Sequence, residues 1–313
     1  MSSYRFCRTD DIGLLVDALN RCWSPYFPDE PATTPAAFKR SIRDLQVWCS
    51  SCMVAFSGSD PIGVLIGAKR SSGTLIHRIA VHPDHRRQGH GRHMLDSLGS
   101  KLAILGPPRI SAEVPDAFAA ASGLFDASGY VQETLLTDYV LHDARPNFSS
   151  AVHDAGPNFS SAVPQSVVPD VGPNFSSAVP QSEENDAVRF VIPVTLDDLA
   201  ANGLLGDHPQ TCWERSVETL MARKEEIAGF AVASDERLEA YLLYTQDGEI
   251  LSLRALVDDG STRLRRLLSR LGAPGTSPFR FPKVHPAEVG TAGLEALGFR
   301  AVGGHRLYAT AAR

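Results

Sequence analysis

The sequence predicts an α/β (α+β) chain of two domains joined by a long irregular segment, and three observations carry that prediction. Strand-length apolar runs alternate with helix-period apolar faces through residues 1–143. The same order of elements returns from Ala187 to the end, residues 187–313. Between them, residues 144–186 are rich in proline and serine and carry PNFSSAV three times, starting at Pro146, Pro157 and Pro173. A chain of 313 residues is long enough for two cores of ordinary size.

Composition narrows the class. Hydrophobic residues make up 43% and charged residues 21%, the balance of a globular protein. A net charge of −6 and a pI near 5.9 do not recommend a nucleic-acid partner, which would usually want a basic face. The start, MSSYRFCRTDD, has no apolar signal core, and no stretch reaches the ~18 apolar residues of a membrane span. Neither a nucleic acid nor a membrane is expected as a partner. Five cysteines, an odd number, make no disulfide framework, and the chain reads as cytoplasmic.

In order, Tyr4 to Cys7 is a short strand, and Thr9 or Asp10 caps a helix carrying Ile12, Leu15, Val16 and Leu19. Trp23, Tyr26 and Phe27 follow among two prolines, which reads as a packed loop over the core. Phe38 to Leu45 is the second helix. Cys49 and Cys52 form C-x-x-C, but the pair leads into the strand-like Met53 to Phe56 and not into a helix, which disfavours a redox role. Pro61 to Lys69 is the next strand.

The chemistry is expected between Thr74 and Leu105. Ile76, Ile79, Ala80 and Val81 form a strand that ends at His82-Pro83, since proline cannot donate to a ladder. Met94, Leu95, Leu98, Leu102 and Leu105 recur at helical steps. Arg86, Arg87, Gln88, Gly89, His90, Gly91 and Arg92 join the two. The glycines let the backbone curl, and amides at the start of the helix favour an anion. The loop is neither a Walker loop, lacking Gly-Lys-Ser/Thr, nor a dinucleotide fingerprint, lacking a third glycine. Histidines 77, 82, 85, 90 and 93 read as solvated loop groups and not as metal ligands, so no metal is expected.

R-x-x-G-x-G after a strand ending I-A-V-H-P resembles motif A of the GNAT superfamily of N-acetyltransferases. The resemblance implies acetyl-CoA as cosubstrate. It gives Ile79, Ala80 and Val81 to the pantetheine arm, and Arg86 through Arg92 to the pyrophosphate. It also implies a mixed, mostly antiparallel sheet flanked by helices in each domain. Arg109 to Val114 and the helix expected over 116–128 resemble motif B, with Gly129 as its C′ residue. Two positions depart. Phe118 stands where Asn is common, and Phe125 where many members carry the tyrosine that protonates the departing thiolate.

An amine with a pKa near 10.4 is almost wholly protonated at pH 7, so attack on a thioester profits from a general base. His77 stands where many family members carry a Glu, and Glu113 on the neighbouring strand is the second candidate. The family also places the segment holding Trp23, Tyr26 and Phe27 on the acceptor side. Together these imply acetyl transfer to a primary amine of a small molecule or peptide; the alternative is a catalytically weak acyl-CoA-binding regulatory protein. In the second half, Ile250 to Val257 and Thr262 to Leu271 take the places of the motif A strand and helix. The loop between them holds Asp258 and Asp259, whose charges would repel a pyrophosphate. This half reads as a degenerate GNAT-like domain.

Overall fold

The structure, a computed structural model, describes residues 2–142, 190–206, 211–271 and 278–312. The PNFSSAV repeats, and the disordered linker expected over 144–186, lie outside the described residues.

The first half runs β1 (Ser2–Phe6), α1 (Ile12–Cys22), α2 (Pro35–Leu45), β2 (Met53–Ser57), β3 (Asp60–Lys69), β4 (Thr74–Val81), α3 (His90–Leu105), β5 (Arg109–Pro115), α4 (Ala119–Ala127) and β6 (Val131–Leu141). The second runs β7 (Phe190–Pro193), α5 (Leu196–Ala201), α6 (Val217–Ala222), β8 (Ile227–Ala233), β9 (Leu238–Thr245), β10 (Ile250–Ala255), α7 (Thr262–Leu268), β11 (Phe279–Val284), α8 (Thr291–Ala296) and β12 (Arg300–Ala311).

Local chemistry sets several boundaries. Thr34 caps α2 by accepting the Ala37 amide at 3.1 Å, and Pro35 fills the first turn, where no amide bond is lost. Thr195 and Asp198 form a reciprocal capping box on α5. Helix α4 is shorter than the pattern over 116–128 suggests. Pro115 stays in the sheet opposite His305, and the Asp116 amide bonds the Gly304 carbonyl at 2.8 Å, so the chain turns into helix only at Ala119.

The main sheet has eight strands in the order β1-β2-β3-β4-β5-β12-β6-β11, and a second has β10-β9-β8-β7. Only β4 and β5 form a parallel ladder in these sheets, from Thr74↔Ile110 to Ile76↔Ala112; beyond that pair they separate. At the same point β4 carries a bulge. Its pairing with β3 steps from Gly67↔Ile76 to Ile66↔Arg78 and leaves His77 as the extra residue.

The last strand of the chain completes the first half. β12 pairs through His305–Ala311 with β5, and along Arg300–Ala309 with β6. In return β6 pairs Thr137 to Leu141, on its other edge, with β11. Each half therefore lends a strand to the other, and the cores follow. Tyr308 of β12 packs among Met94, Ile110, Phe125 and Tyr130 beneath α3 and α4. Tyr139 and Leu141 of β6 pack among Leu267, Phe281 and Phe299. A separate apolar cluster on the other face joins Leu15, Leu19 and Phe38 of α1 and α2 to Ile66 and Leu75. Among the described residues no helix is long and apolar enough to cross a membrane.

Candidate active site

The opening between β4 and β5 leads to the start of α3. Gly89 caps that helix at φ +84°, a left-handed conformation natural to glycine, and a Cβ built there would meet nothing within 4 Å. The space in front of the loop is thus free for a ligand, and the α3 amides and dipole favour an anion there. Gly91 serves packing instead. A Cβ at this position would come within 3.0 Å of Leu124, so its absence lets α3 approach α4. Arg92 ties the helix to α4 through the Ala127 carbonyl. Arg87 lies exposed at φ 62°, and Arg86 lies over the Tyr26 ring at 5.8 Å. His90 is buried, with Nδ1 2.6 Å from the Tyr4 hydroxyl, so it anchors α3 to β1.

On the α1–α2 face a cavity of about 250 Å³ is lined by Leu19, Glu30, Phe38, Ile66, His77 and Arg78, among others. Around it, Trp23 stacks on Phe27 at 4.3 Å and donates from Nε1 to Glu30 at 3.1 Å. Arg78 lies 5.0 Å from the Trp23 ring and 3.7 Å from Glu30. The Tyr26 hydroxyl donates to the Val81 carbonyl at 2.6 Å, fixing the end of β4. Phe27 reaches across to Phe118 at 5.0 Å, so the aromatic segment borders the opening between the strands.

His77 and Glu113 occupy the two sides of that opening, each one residue past the last β4–β5 pair. Burial, with the Arg78 and Lys283 charges, pushes the His77 pKa down to about 3. His77 is therefore neutral at pH 7 and suited to accept a hydrogen bond. Taking and keeping a proton there would oppose roughly 1.4 kcal/mol per unit of pH above its pKa. Glu113 is buried and committed. One oxygen accepts the Trp213 amide at 3.0 Å, and the other lies 2.9 Å from Lys283 Nζ. Glu214 shares the same ammonium. Trp213 also donates from Nε1 to the Leu45 carbonyl at 2.9 Å, beneath the Arg70 guanidinium. The second half thus walls this side of the opening.

The matching region of the second half is filled. β10 and β11 touch through one parallel bridge, Glu249↔Arg280, and beyond it the Arg215 guanidinium lies between them. It donates to the Leu251 carbonyl at 3.3 Å, to the Lys283 carbonyl at 2.9 Å, and to both oxygens of Glu288 at 2.7 and 2.8 Å. Asp259 accepts the Arg263 amide at 2.8 Å and pairs with its guanidinium. The start of α7 already faces a carboxylate of its own chain.

Sequence reasoning had no view of Trp213, Arg215, Lys283, Asp138 or His305, because their partners lie tens to hundreds of residues away. Lys283, at φ 52°, and Pro282 sit where β11 breaks register with β6; a proline inside an apolar run is the one local signal of such a break. All five cysteines are free and buried, and burial pushes the Cys7 thiol up to about 12 and raises Cys49 and Cys52. The C-x-x-C pair is core.

An open parallel pair leading to a glycine-started helix, on a mixed and mostly antiparallel sheet, is the arrangement of the GNAT fold. Residues 14–130 match the model of the Acetyltransferase (GNAT) family. The full chain also superposes on solved structures of low identity. A GCN5-related N-acetyltransferase from Sphaerobacter thermophilus matches with TM-score 0.60 and 11% identity, covering 100% of this chain and 96% of the other. A tandem GNAT protein from the clavulanic acid biosynthesis pathway gives TM-score 0.57 and 15% identity, with 100% and 99% covered. A GCN5-related N-acetyltransferase from Anabaena variabilis gives 0.58 and 10%, with 100% and 73% covered. These likenesses extend the fold over both halves.

Proposed function

We propose that the chain transfers an acetyl group from acetyl-CoA to a primary amine of a small molecule or peptide, using one cofactor site in its first half. The observation that carries this is the contrast between the two openings. The β4–β5 opening leads to the amides at the start of α3, whereas the Arg215 guanidinium occupies the gap between β10 and β11, and Asp259 takes the Arg263 amide at the start of α7.

Ile79, Ala80 and Val81 lie on β4 beyond its last pair with β5, and Arg86 through Arg92 offer amides and positive charge at the start of α3. Bound there, acetyl-CoA supplies the acyl group. An amide around Val81 would polarise its carbonyl oxygen. The cavity lined by His77, Arg78 and Glu30 is the acceptor side, bordered by Trp23, Tyr26 and Phe27. Neutral His77 would orient the amine by accepting a hydrogen bond. Glu113, fixed by Lys283 and Trp213, would shape the field around it. Five free cysteines fit a reducing compartment such as the cytoplasm.

Phe125 favours a second reading, an acyl-CoA-binding protein without turnover, because phenylalanine has no proton for the thiolate. Calorimetry with acetyl-CoA and thiol release over a panel of primary amines separate the two. Binding at one site per chain with amine-dependent release is the expected result. Binding without release supports the second reading, and absence of binding overturns both.

A further inference from the structure

We propose that His305, held by Asp138, accepts the proton that the acceptor amine must lose. This rests on the acetyltransferase reading above and adds a catalytic residue from the opposite end of the chain.

The placement comes from the exchanged strand. His305 pairs with Pro115 of β5, three residues past Ala112, where β4 and β5 part, so it stands beside the open end. Ala112, Val114 and Tyr308 pack into the core beneath α3 and α4. Alternation along β5 and β12 therefore puts Glu113 and His305 on the other face, the acceptor side. The two residues are diagonal neighbours across the β5–β12 ladder, a relation that spans about 7–8 Å. The His305 side chain is 19% exposed, so a ligand can reach its ring.

The support of the ring has the form that proton acceptors need. His305 Nδ1 lies 3.2 Å from Asp138 Oδ2, and the other Asp138 oxygen accepts the Lys283 amide at 2.8 Å. Lys283 is left-handed at φ 52°, a conformation that strains a side-chain-bearing residue and clusters at functional sites. That backbone turn accompanies the aim of its amide at Asp138. Burial alone would raise the Asp138 pKa. The nearby His305 ring and the Lys283 amide outweigh it and hold the carboxyl below its ordinary value, so it is ionised at pH 7. A carboxylate on Nδ1 keeps the proton there and leaves Nε2 as the acceptor.

The charged groups facing His305 are Asp138 from β6, Lys283 from β11 and Glu113 from β5. Glu113 and Glu214 both balance the Lys283 ammonium, so the ring does not face an uncompensated cation. His77 sits between Arg78 and Lys283 without such a carboxylate partner of its own, and Glu113 is already bound.

In the step, the amine nitrogen bonds the acetyl carbon and the carbon–sulfur bond breaks, with its electron pair leaving on sulfur. An ammonium acceptor sheds two protons in all. One passes to His305 Nε2 and on to solvent; the other ends on the CoA sulfur, giving a thiol of ordinary pKa near 8.5. No acid at position 125 is needed.

The test uses the full chain with acetyl-CoA and three probe amines, glycinamide, benzylamine and spermidine, following thiol release. His305→Gln should lower kcat by ~10²–10⁴-fold with acetyl-CoA affinity unchanged. Added imidazole should restore part of the activity of His305→Ala. Asp138→Asn, the second variant should His305 variants fold poorly, should lower kcat with acetyl-CoA affinity unchanged, and Asp138→Glu should restore part of the loss. A folded His305→Gln enzyme within threefold of the parent overturns this proposal and leaves the acetyltransferase reading standing. No amine-dependent release by the parent chain overturns both.

Discussion

Replacing Tyr308 with alanine should destabilise the first half of the protein, although residue 308 lies in the last strand. Its ring is 1% exposed, stacks on Phe125 at 5.6 Å, and completes the cluster that holds Met94, Ile110 and Tyr130. Truncating a buried aromatic to alanine costs about 3–5 kcal/mol through lost transfer energy and the cavity left behind. Loss of the aromatic pair is part of that figure. Against a total stability of roughly 5–15 kcal/mol this is a large fraction. For a chain of this size it corresponds to a fall in Tm of roughly 6–20 °C. Thermal unfolding by circular dichroism gives the total, and amide exchange shows where it acts: β5 and β6 should lose protection first. Tyr308→Phe, which keeps the volume, should stay within about 1.5 kcal/mol of the parent. If Tyr308→Ala shifts Tm by less than 2 °C (~1 kcal/mol) and β5 exchange is unchanged, the strand exchange is not what holds the first half together.

Further outcomes follow from the same geometry. Gly89→Glu places a side chain and a negative charge in the left-handed cap of α3, and should weaken acetyl-CoA binding at least tenfold by calorimetry without unfolding the chain. Residues 1–142 expressed alone lack the strand between β5 and β6, and should show no cooperative thermal transition; a sharp transition with acetyl transfer intact would count against the exchange. Glu113→Gln removes one partner of a buried pair and should lower stability by about 3–5 kcal/mol, read from urea unfolding. His77, neutral in the fold with its pKa near 3, gives a pH dependence of known sign. The unfolded chain takes up the proton first, so its contribution is whole above about pH 6.5 and is lost as pH falls toward 3, by up to roughly 1.4 kcal/mol per unit. His77→Gln should therefore lose less stability than the parent between pH 7 and pH 5.

Much of the first half was legible because its signals are local. The periodicities of Thr74–Val81 and Met94–Leu105, with Gly89 and Gly91 between them, depend on backbone geometry within a single strand, turn and helix. Asp258 and Asp259 likewise marked the second loop as hostile to phosphate, and Asp259 does face its own helix. The surroundings of His77 and Glu113 were not legible. A side chain's place in the strand order is written nearby, but its solvation and charge partners are set by whatever packs over it, here Lys283 and Trp213.

By itself the sequence determined the class, the twofold repetition of elements and the loop that starts α3, since each follows from neighbouring residues. Tertiary structure alone decided the rest. Strands β11 and β12 are interrupted, by Pro282 in one and Gly303-Gly304 in the other, and their pairing partners are 138 or more residues away in the chain, the nearest being Phe279 and Leu141. Hydrogen-bond ladders between such distant segments leave no period in either one. So the exchange of strands, the filling of the second opening by Arg215, and the meeting of His305 with Asp138 exist only once the chain has closed on itself.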